Sequence, residues 1–183
     1  MSEEISDNEL LEQFRIESTR NLAFHMLMTK YQKRVYWQVR RIIIDHDDAN
    51  DVVQNTFIKV WKNLDGFKEA SRLYTWIYRI ATNESLTFLK QKRARLYVPF
   101  ESVERGLSRK LTDDNFFKAE EIEKKLQQAM LTLPEKQRIV FNLRYYDEMP
   151  YEEMAGVLET SVGALKASYH HAVKKIEDFL KNN

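Results

Sequence analysis

Helix breakers are scarce in this chain. Gly occurs four times and Pro three times in 183 residues, and apolar residues recur at spacings of three and four over most of the length. A chain with so few turn residues cannot reverse often enough to lay down a sheet of short strands, and alternating apolar and polar runs are hard to find. Both observations predict an all-α fold.

At 43% hydrophobic residues, the chain has enough apolar content to bury a core. It has no Cys, which excludes a disulfide frame, a thiolate nucleophile and a cysteine zinc site. The sequence carries no signal peptide, and its longest apolar cluster is the short run Ile42, Ile43, Ile44, so a cytoplasmic location is expected. The net charge of +1 hides segregation: residues 88–110 carry seven Lys or Arg against two Glu, and Asp113, Asp114, Glu120, Glu121 and Glu123 follow. A second basic cluster is Lys30, Lys33, Arg34, Arg40 and Arg41. Local fields of this kind suit a nucleic-acid partner even when the total charge is near zero.

The periodicity divides the chain. A first helix is expected after Asp7, with Asp7 as its N-cap, through Leu10, Leu11 and Phe14. A long helix follows from about Asn21 to Ile44, interrupted by DHDDAN, where Asp47 or Asp48 would cap a third helix burying Val53, Phe57, Val60, Trp61 and Leu64. Asp65 and Gly66 end it. A fourth helix completes a domain over residues 1–94. Periodicity fails between residues 95 and 118, around Pro99 and Gly106, which marks a flexible linker. A second small helical domain is expected over 119–183, with Pro134 as the first residue of one of its helices.

Within the fourth helix, RLYTWIYRIATNESLTFLKQKRAR (72–95), Leu73, Ile77, Ile80, Ala81 and Phe88 share one side. Thr75, Arg79, Asn83 and Lys90 form the opposite stripe, bordered by Trp76 and Tyr78. Aromatic edges beside cations and an amide suit stacked bases and phosphates. On the third helix, Asp48 and Asp51 favour the helix dipole at its start. Asp51, Gln54 and Ile58 face away from the apolar stripe, and an exposed Ile among polar groups suits a protein partner.

The segment PYEEMAGVLETSVGALKASYHHAVKKIEDFL (150–180) reads as a short helix Tyr151 to Leu158, a turn at Glu159 and Thr160, and a longer helix capped by Ser161. Ala155 allows a close crossing, and Leu158, Val162 and Leu165 fill the angle. This is a helix-turn-helix pattern, which an αα-hairpin of a plain helical core would share. It presents the start of its second helix to a major groove, where Gly163 and Ala164 permit close approach and Lys166, Ser168 and His170 reach bases or phosphates. Adjacent His170 and His171 point to different helix faces and are not a metal pair. No metal site, cofactor site or catalytic constellation is expected anywhere in the chain, because paired carboxylates at metal spacing, a nucleophile and a phosphate-cradling Gly loop are all missing.

These motifs resemble the extracytoplasmic-function (ECF) sigma factors of bacterial RNA polymerase. DANDVVQNTFIKVW is similar to the family's polymerase-clamp helix, YTWIYRIATN to its −10 promoter-reading helix, and LPEKQRIVFNLRYYDEMPYEEMAGVLETSVGALKASYHHA to its −35-reading region. The resemblance implies a non-enzymatic initiation factor that binds core RNA polymerase and promoter DNA, duplex at −35 and melted at −10. It implies polymerase contacts at Asp48, Asp51, Gln54, Asn55 and Ile58. It places the melted strand on Lys68, Arg72, Tyr74, Thr75, Trp76, Arg79 and Asn83. It places the −35 duplex on Ser161, Val162, Gly163, Ala164, Lys166, Ala167, Ser168, His170 and His171. An anti-sigma factor that clasps both domains is a further implied partner.

Two departures stand out. Family members often carry Arg where this chain has Ser168 and His171, and Gly where it has Glu159. The rival reading is an autonomous helix-turn-helix regulator, which would bind duplex DNA without polymerase.

Overall fold

In the computed structural model, which describes residues 5–68, 71–96 and 121–182, eight α-helices and no strand occur among the described residues. Helix α1 (Asp7–Arg15) is capped by Ser6, one residue before the expected Asp7, in a reciprocal box with Glu9. Asp7 is instead the first helical residue, where its carboxylate accepts from Tyr31 Oη at 2.7 Å and pairs with Lys30 at 2.9 Å. That tie pins α1 to the central helix α2 (Arg20–Ile43), and Phe14 sets edge-on against Trp61, with ring centroids 5.1 Å apart.

Helix α2 runs through the middle of the first core. Leu27, Tyr31, Val35, Val39, Ile42 and Ile43 are buried along it. Gln38, also buried, donates to Thr82 Oγ1 at 2.8 Å and to the Tyr78 carbonyl at 3.3 Å. The chain reverses at Ile44, which has φ 70, and Asp45 caps α3 (His46–Asn63) by accepting from the Asp47 and Asp48 amides, each at 3.1 Å. The expected caps Asp47 and Asp48 are thus first-turn residues. A carboxylate two or three residues upstream reaches those orphan N–H groups better than either can reach its own turn. The buried face of α3 is Ala49, Val52, Thr56, Phe57 and Val60; Val53 and Trp61, expected in the core, are half-buried at its edge.

After a 3-10 turn at Leu64–Gly66, α4 (Leu73–Leu96) packs on α2 and α3. The expected linker therefore starts inside a helix, and from residue 97 onward it lies outside the described residues. The same holds for Ala119, where helix was expected to resume.

The C-terminal helices are α5 (Glu121–Leu131), α6 (Glu135–Tyr145), α7 (Tyr151–Leu158) and α8 (Val162–Asn182). Pro134 serves as N-cap of α6, not as its first residue. Ala129, Met130, Leu133, Phe141, Ala172 and Ile176 make a second, smaller core between α5, α6 and α8. The other face of α6, together with α7, turns toward the N-terminal helices. Ile139, Val140, Leu143, Met149, Met154, Val157 and Leu165 join the first core and close over α2 and α4. The two helical domains are thereby packed against each other.

Candidate nucleic-acid and polymerase interfaces

On α3, the face opposite the core is bare as expected: Asp51, Gln54, Asn55 and Ile58 are exposed. Ile58 keeps 45% of its surface accessible, an apolar side chain with no intramolecular reason to be there. Beside it a groove of about 380 Å³ opens between α2 and α3, lined by Phe24, Met28, Val53, Phe57 and Trp61, with Gln54 and Ile58 contributing to its wall. Asp48 differs from its neighbours because it is half-buried and paired with Lys92 of α4. Its carboxylate thus ties α3 to α4 as well as favouring the helix start.

The start of α4 is less open than the sequence implied. Thr75, expected on the exposed stripe, is 5% exposed, and Tyr78, expected at its border, is 4% exposed. Burial pushes the Tyr78 hydroxyl well above its ordinary pKa. What covers Thr75 is Glu153 of α7. Its Oε2 accepts from Thr75 Oγ1 at 2.9 Å and from the Tyr74 hydroxyl, while Oε1 lies 3.6 Å from the Arg72 guanidinium. Burial and then the Glu153 hydrogen bond raise the Tyr74 pKa. One turn further on, Arg79 is paired with Glu159. Trp76 leans on Phe67, with centroids 5.2 Å apart, leaving it half-buried. Lys68, Arg72, Arg79 and Asn83 are exposed.

The helix-turn-helix forms where expected. Glu159 adopts the left-handed conformation, φ 50 and ψ 44, at the end of α7, a region that costs a non-Gly residue about 1 kcal/mol or more. The strain explains why Gly suits that turn. Ser161 Oγ accepts from the Ala164 amide at 3.3 Å and starts α8. Ser161, Gly163, Ala164, Lys166, Ala167, His170 and His171 are exposed, while Val162 and Ser168 are half-buried and Leu165 is turned into the core. A Cβ added at Gly163 would meet nothing within 4 Å, so its smallness serves no internal contact. The His170 and His171 rings stand 6.0 Å apart, and no group that could hold a metal ion occurs among the described residues.

Sequence reasoning missed the acids that join the domains: Glu153, Glu159 and Asp147. Asp147 pairs with Arg41 at 2.7 Å, both nearly buried, and Arg41 also stacks over the Tyr146 ring at 4.7 Å. Burial raises the Asp147 pKa, and Arg41 opposes the shift. A cavity of about 520 Å³ remains at this seam, lined by Arg34, Trp37, Arg41, Tyr74 and Tyr78 on one side and residues 146–150 on the other. These partners lie roughly 80 to 100 residues apart in the chain, a separation that helical periodicity cannot detect.

The family described as Sigma-70 region 2 matches residues 27–95, and Sigma-70, region 4 matches 123–176. The ECF RNA polymerase sigma-E factors of Salmonella typhimurium (strain LT2) and Escherichia coli (strain K12) are each 32% identical, over 97% of this chain and 96% of the relative. The chain belongs to the ECF sigma factors of RNA polymerase.

Solved structures extend the likeness to the fold of this sigma factor. CnrH in complex with the cytosolic domain of CnrY aligns with a TM-score of 0.70 at 25% identity, covering 97% of this chain and 98% of that one. The sigma factor RpoE in complex with the anti-sigma factor NepR from Bartonella quintana aligns at 0.66 and 22%, covering 86% and 96%. The region 2 match ends inside α4, and the region 4 match spans the helix-turn-helix. Among the described residues of this sigma factor, no helix is long and apolar enough to cross a membrane.

Proposed function

We propose a division of labour within this sigma factor, which directs RNA polymerase to promoters. Residues 1–94 bind the core enzyme and the melted −10 strand, residues 119–183 bind the −35 duplex, and residues 95–118 join them. Asp48, Asp51, Gln54, Asn55 and Ile58 meet the polymerase clamp. The bare Ile58 beside an apolar groove supports this assignment, because such a surface gains from being covered by a partner helix. Lys68, Arg72, Tyr74, Thr75, Trp76, Arg79 and Asn83 hold the unwound strand, and the exposed start of α8 reads the duplex, with its nine candidate residues divided between groove and phosphates. Opening then needs no catalytic chemistry: capture of the open strand shifts the equilibrium away from the duplex. The protein acts in the cytoplasm and is not an enzyme. An anti-sigma factor is a further partner, supported by the likeness to CnrH, which was solved with the cytosolic domain of CnrY.

The single observation that carries the reading is the match to region 2 and then region 4, in that order, within one chain. An autonomous helix-turn-helix regulator would have no use for residues 27–95. The deciding experiment is in vitro transcription from fragmented genomic DNA with purified core polymerase. Discrete start sites that depend on this protein are expected. The same start sites without it, or tight duplex binding as a dimer and no transcription, would overturn the reading.

A further inference from the structure

We propose that the seam between α2, α4 and the turn from α6 to α7 binds a purine mononucleotide, with the base against Trp37 and the phosphate on Arg34. The site is separate from the surfaces assigned above to polymerase and to the −35 duplex. It meets the strand surface only at Tyr74.

One wall of the site is written in the sequence of α2. Arg34, Trp37 and Arg41 lie at i, i+3 and i+7, so helical spacing sets them on one face and spreads them over about 10 Å of its length. That span suits a nucleotide from phosphate to base. Among the cations clustered on this helix, Lys30 is paired with Asp7, Arg40 is buried and Arg41 is paired with Asp147. Lys33 and Arg34 are exposed and form no ion pair among the described residues, and of these two only Arg34 lines the cavity. Burial raises the pKa of both Tyr78 and Asp147, and Arg34 opposes both shifts, so its charge reaches them across the cavity. Of the two acids in the lining, Asp147 is answered by Arg41, and Glu148 is exposed to water that screens it. The cation left over is Arg34.

The other walls are aromatic and braced from behind. Tyr74 and Tyr78 meet edge to face with centroids 5.9 Å apart, Trp37 stands edge-on to Tyr36 at 5.4 Å, and Tyr146 is backed by Arg41 at 4.7 Å. Arg144 Nη1 fixes the turn by donating to the Glu148 and Met149 carbonyls, each at 3.3 Å. Walls held by other contacts do not collapse into the space between them, and the cavity of about 520 Å³ falls within the roughly 300–1,000 Å³ of small-molecule sites, which favour domain interfaces. The seam also leaves polar atoms unanswered. Arg41 and Asp147 are joined through Nη2 and Oδ1, while Arg41 Nε and Asp147 Oδ2 are buried without a hydrogen-bond partner. Buried groups of this kind are normally paired, and both residues line the cavity, so a polar ligand in it stands beside them. Ring faces, a spare guanidinium and room for both together are what a base and a phosphate require.

The test uses the full chain in titration calorimetry, with AMP, GMP, adenosine and ribose 5-phosphate as probes. AMP or GMP should bind one to one, about 10-fold or more tighter than adenosine, which lacks the phosphate, and than ribose 5-phosphate, which lacks the base. Arg34→Gln should weaken the nucleotide about 10-fold or more, and Arg34→Lys, which keeps the charge, should lose less. Lys33→Gln removes the neighbouring exposed cation and should match wild type within about 2-fold. Both positions are exposed, so these variants should melt with wild type. The chain has three Trp, and the indole N–H signal of Trp37, assigned by its loss in Trp37→Phe, should move in the NMR spectrum on saturation with the nucleotide. Any one of four results overturns the site: no binding of either nucleotide at about 1 mM, adenosine or ribose 5-phosphate binding as tightly as the nucleotides, equal losses in Arg34→Gln and Lys33→Gln, or an unmoved Trp37 signal.

Discussion

The two helices assigned to DNA face opposite conditions. The first turns of α4 are enclosed: Thr75 and Tyr78 are buried, Trp76 leans on Phe67, and one acid from the other domain, Glu153, accepts from the Tyr74 and Thr75 hydroxyls. The first turns of α8 are bare, with small residues at Gly163, Ala164 and Ala167 and no side chain within reach of a Cβ at Gly163. A groove reader must be convex and unobstructed, since the duplex brings its own walls. A strand reader must supply the walls itself, because a single strand has no groove to enter. Enclosure at α4 is thus what an open strand would require under the proposed assignment, and Glu153 fills the same polar walls in this structure.

The contrast can be broken or sharpened by four experiments. The largest effect is expected where both helices become irrelevant together. Asp51→Arg with Ile58→Ala on α3 should weaken core-polymerase binding about 100-fold or more, with a stability change of about 1 kcal/mol or less because both residues are exposed. Wild-type affinity in a folded variant would remove α3 from the polymerase interface. Next, Arg79→Ala with Asn83→Ala should lower permanganate reactivity of thymines near the start site by about 10-fold or more, from the loss of several hydrogen bonds to the strand. Closed-complex formation should persist. Equal loss of docking and opening would mean that α4 does not specialise in the open strand.

On the bare helix, His171→Arg should tighten duplex binding a few-fold and steepen log K against log salt by roughly 0.9, the signature of one more phosphate neutralised. Position 171 lies more than two turns into α8, beyond the residues that lead into the groove. A changed sequence preference with an unchanged slope would place it on a base edge instead. The smallest effect concerns the seam. Burial raises the Asp147 pKa, so the stability its proton confers is complete below the ordinary value of 3.8 and is lost as pH rises through the raised value. Thermal unfolding of Asp147→Asn against wild type should therefore shift in the variant's favour as pH climbs from about 4 to neutrality. The opposite trend would mean that Arg41 outweighs burial.

Much of the architecture was legible because helices announce themselves locally. The extent of α2, the start of α4 and the helix-turn-helix all follow from apolar spacing and a few turn residues. Caps were less legible: Ser6 caps in place of the adjacent Asp7, and Asp45 in place of Asp47 or Asp48 two and three residues on, since the choice depends on backbone geometry within one turn. The exposed face of α3 could be read from Asp51, Gln54 and Ile58 because a helix surface without internal partners looks the same in sequence and in space. The seam could not. Thr75 was read as exposed from the pattern of its own helix, but it is buried and donates to a carboxylate 78 residues away. Glu159 drew notice as a departure from Gly in the turn, but nothing in the sequence tied it to Arg79.

Gln38 has a further role. An interface of Leu and Val between α2 and α4 would tolerate small rotations of one helix about its own axis, since greasy surfaces mesh in several settings. A buried amide that must find the Thr82 hydroxyl and the Tyr78 carbonyl does not tolerate them. It works as an indexing pin for the azimuth of α4. Successive residues are about 100° apart around a helix, so fixing Thr82 inward also fixes the compass bearing of Asn83 and Arg79. A rotation of half that step would swing their side chains off the strand path proposed for them without disturbing the hydrophobic content of the core. Replacing Gln38 with Leu would then leave a protein that melts much like wild type but presents Arg79 and Asn83 with blurred aim.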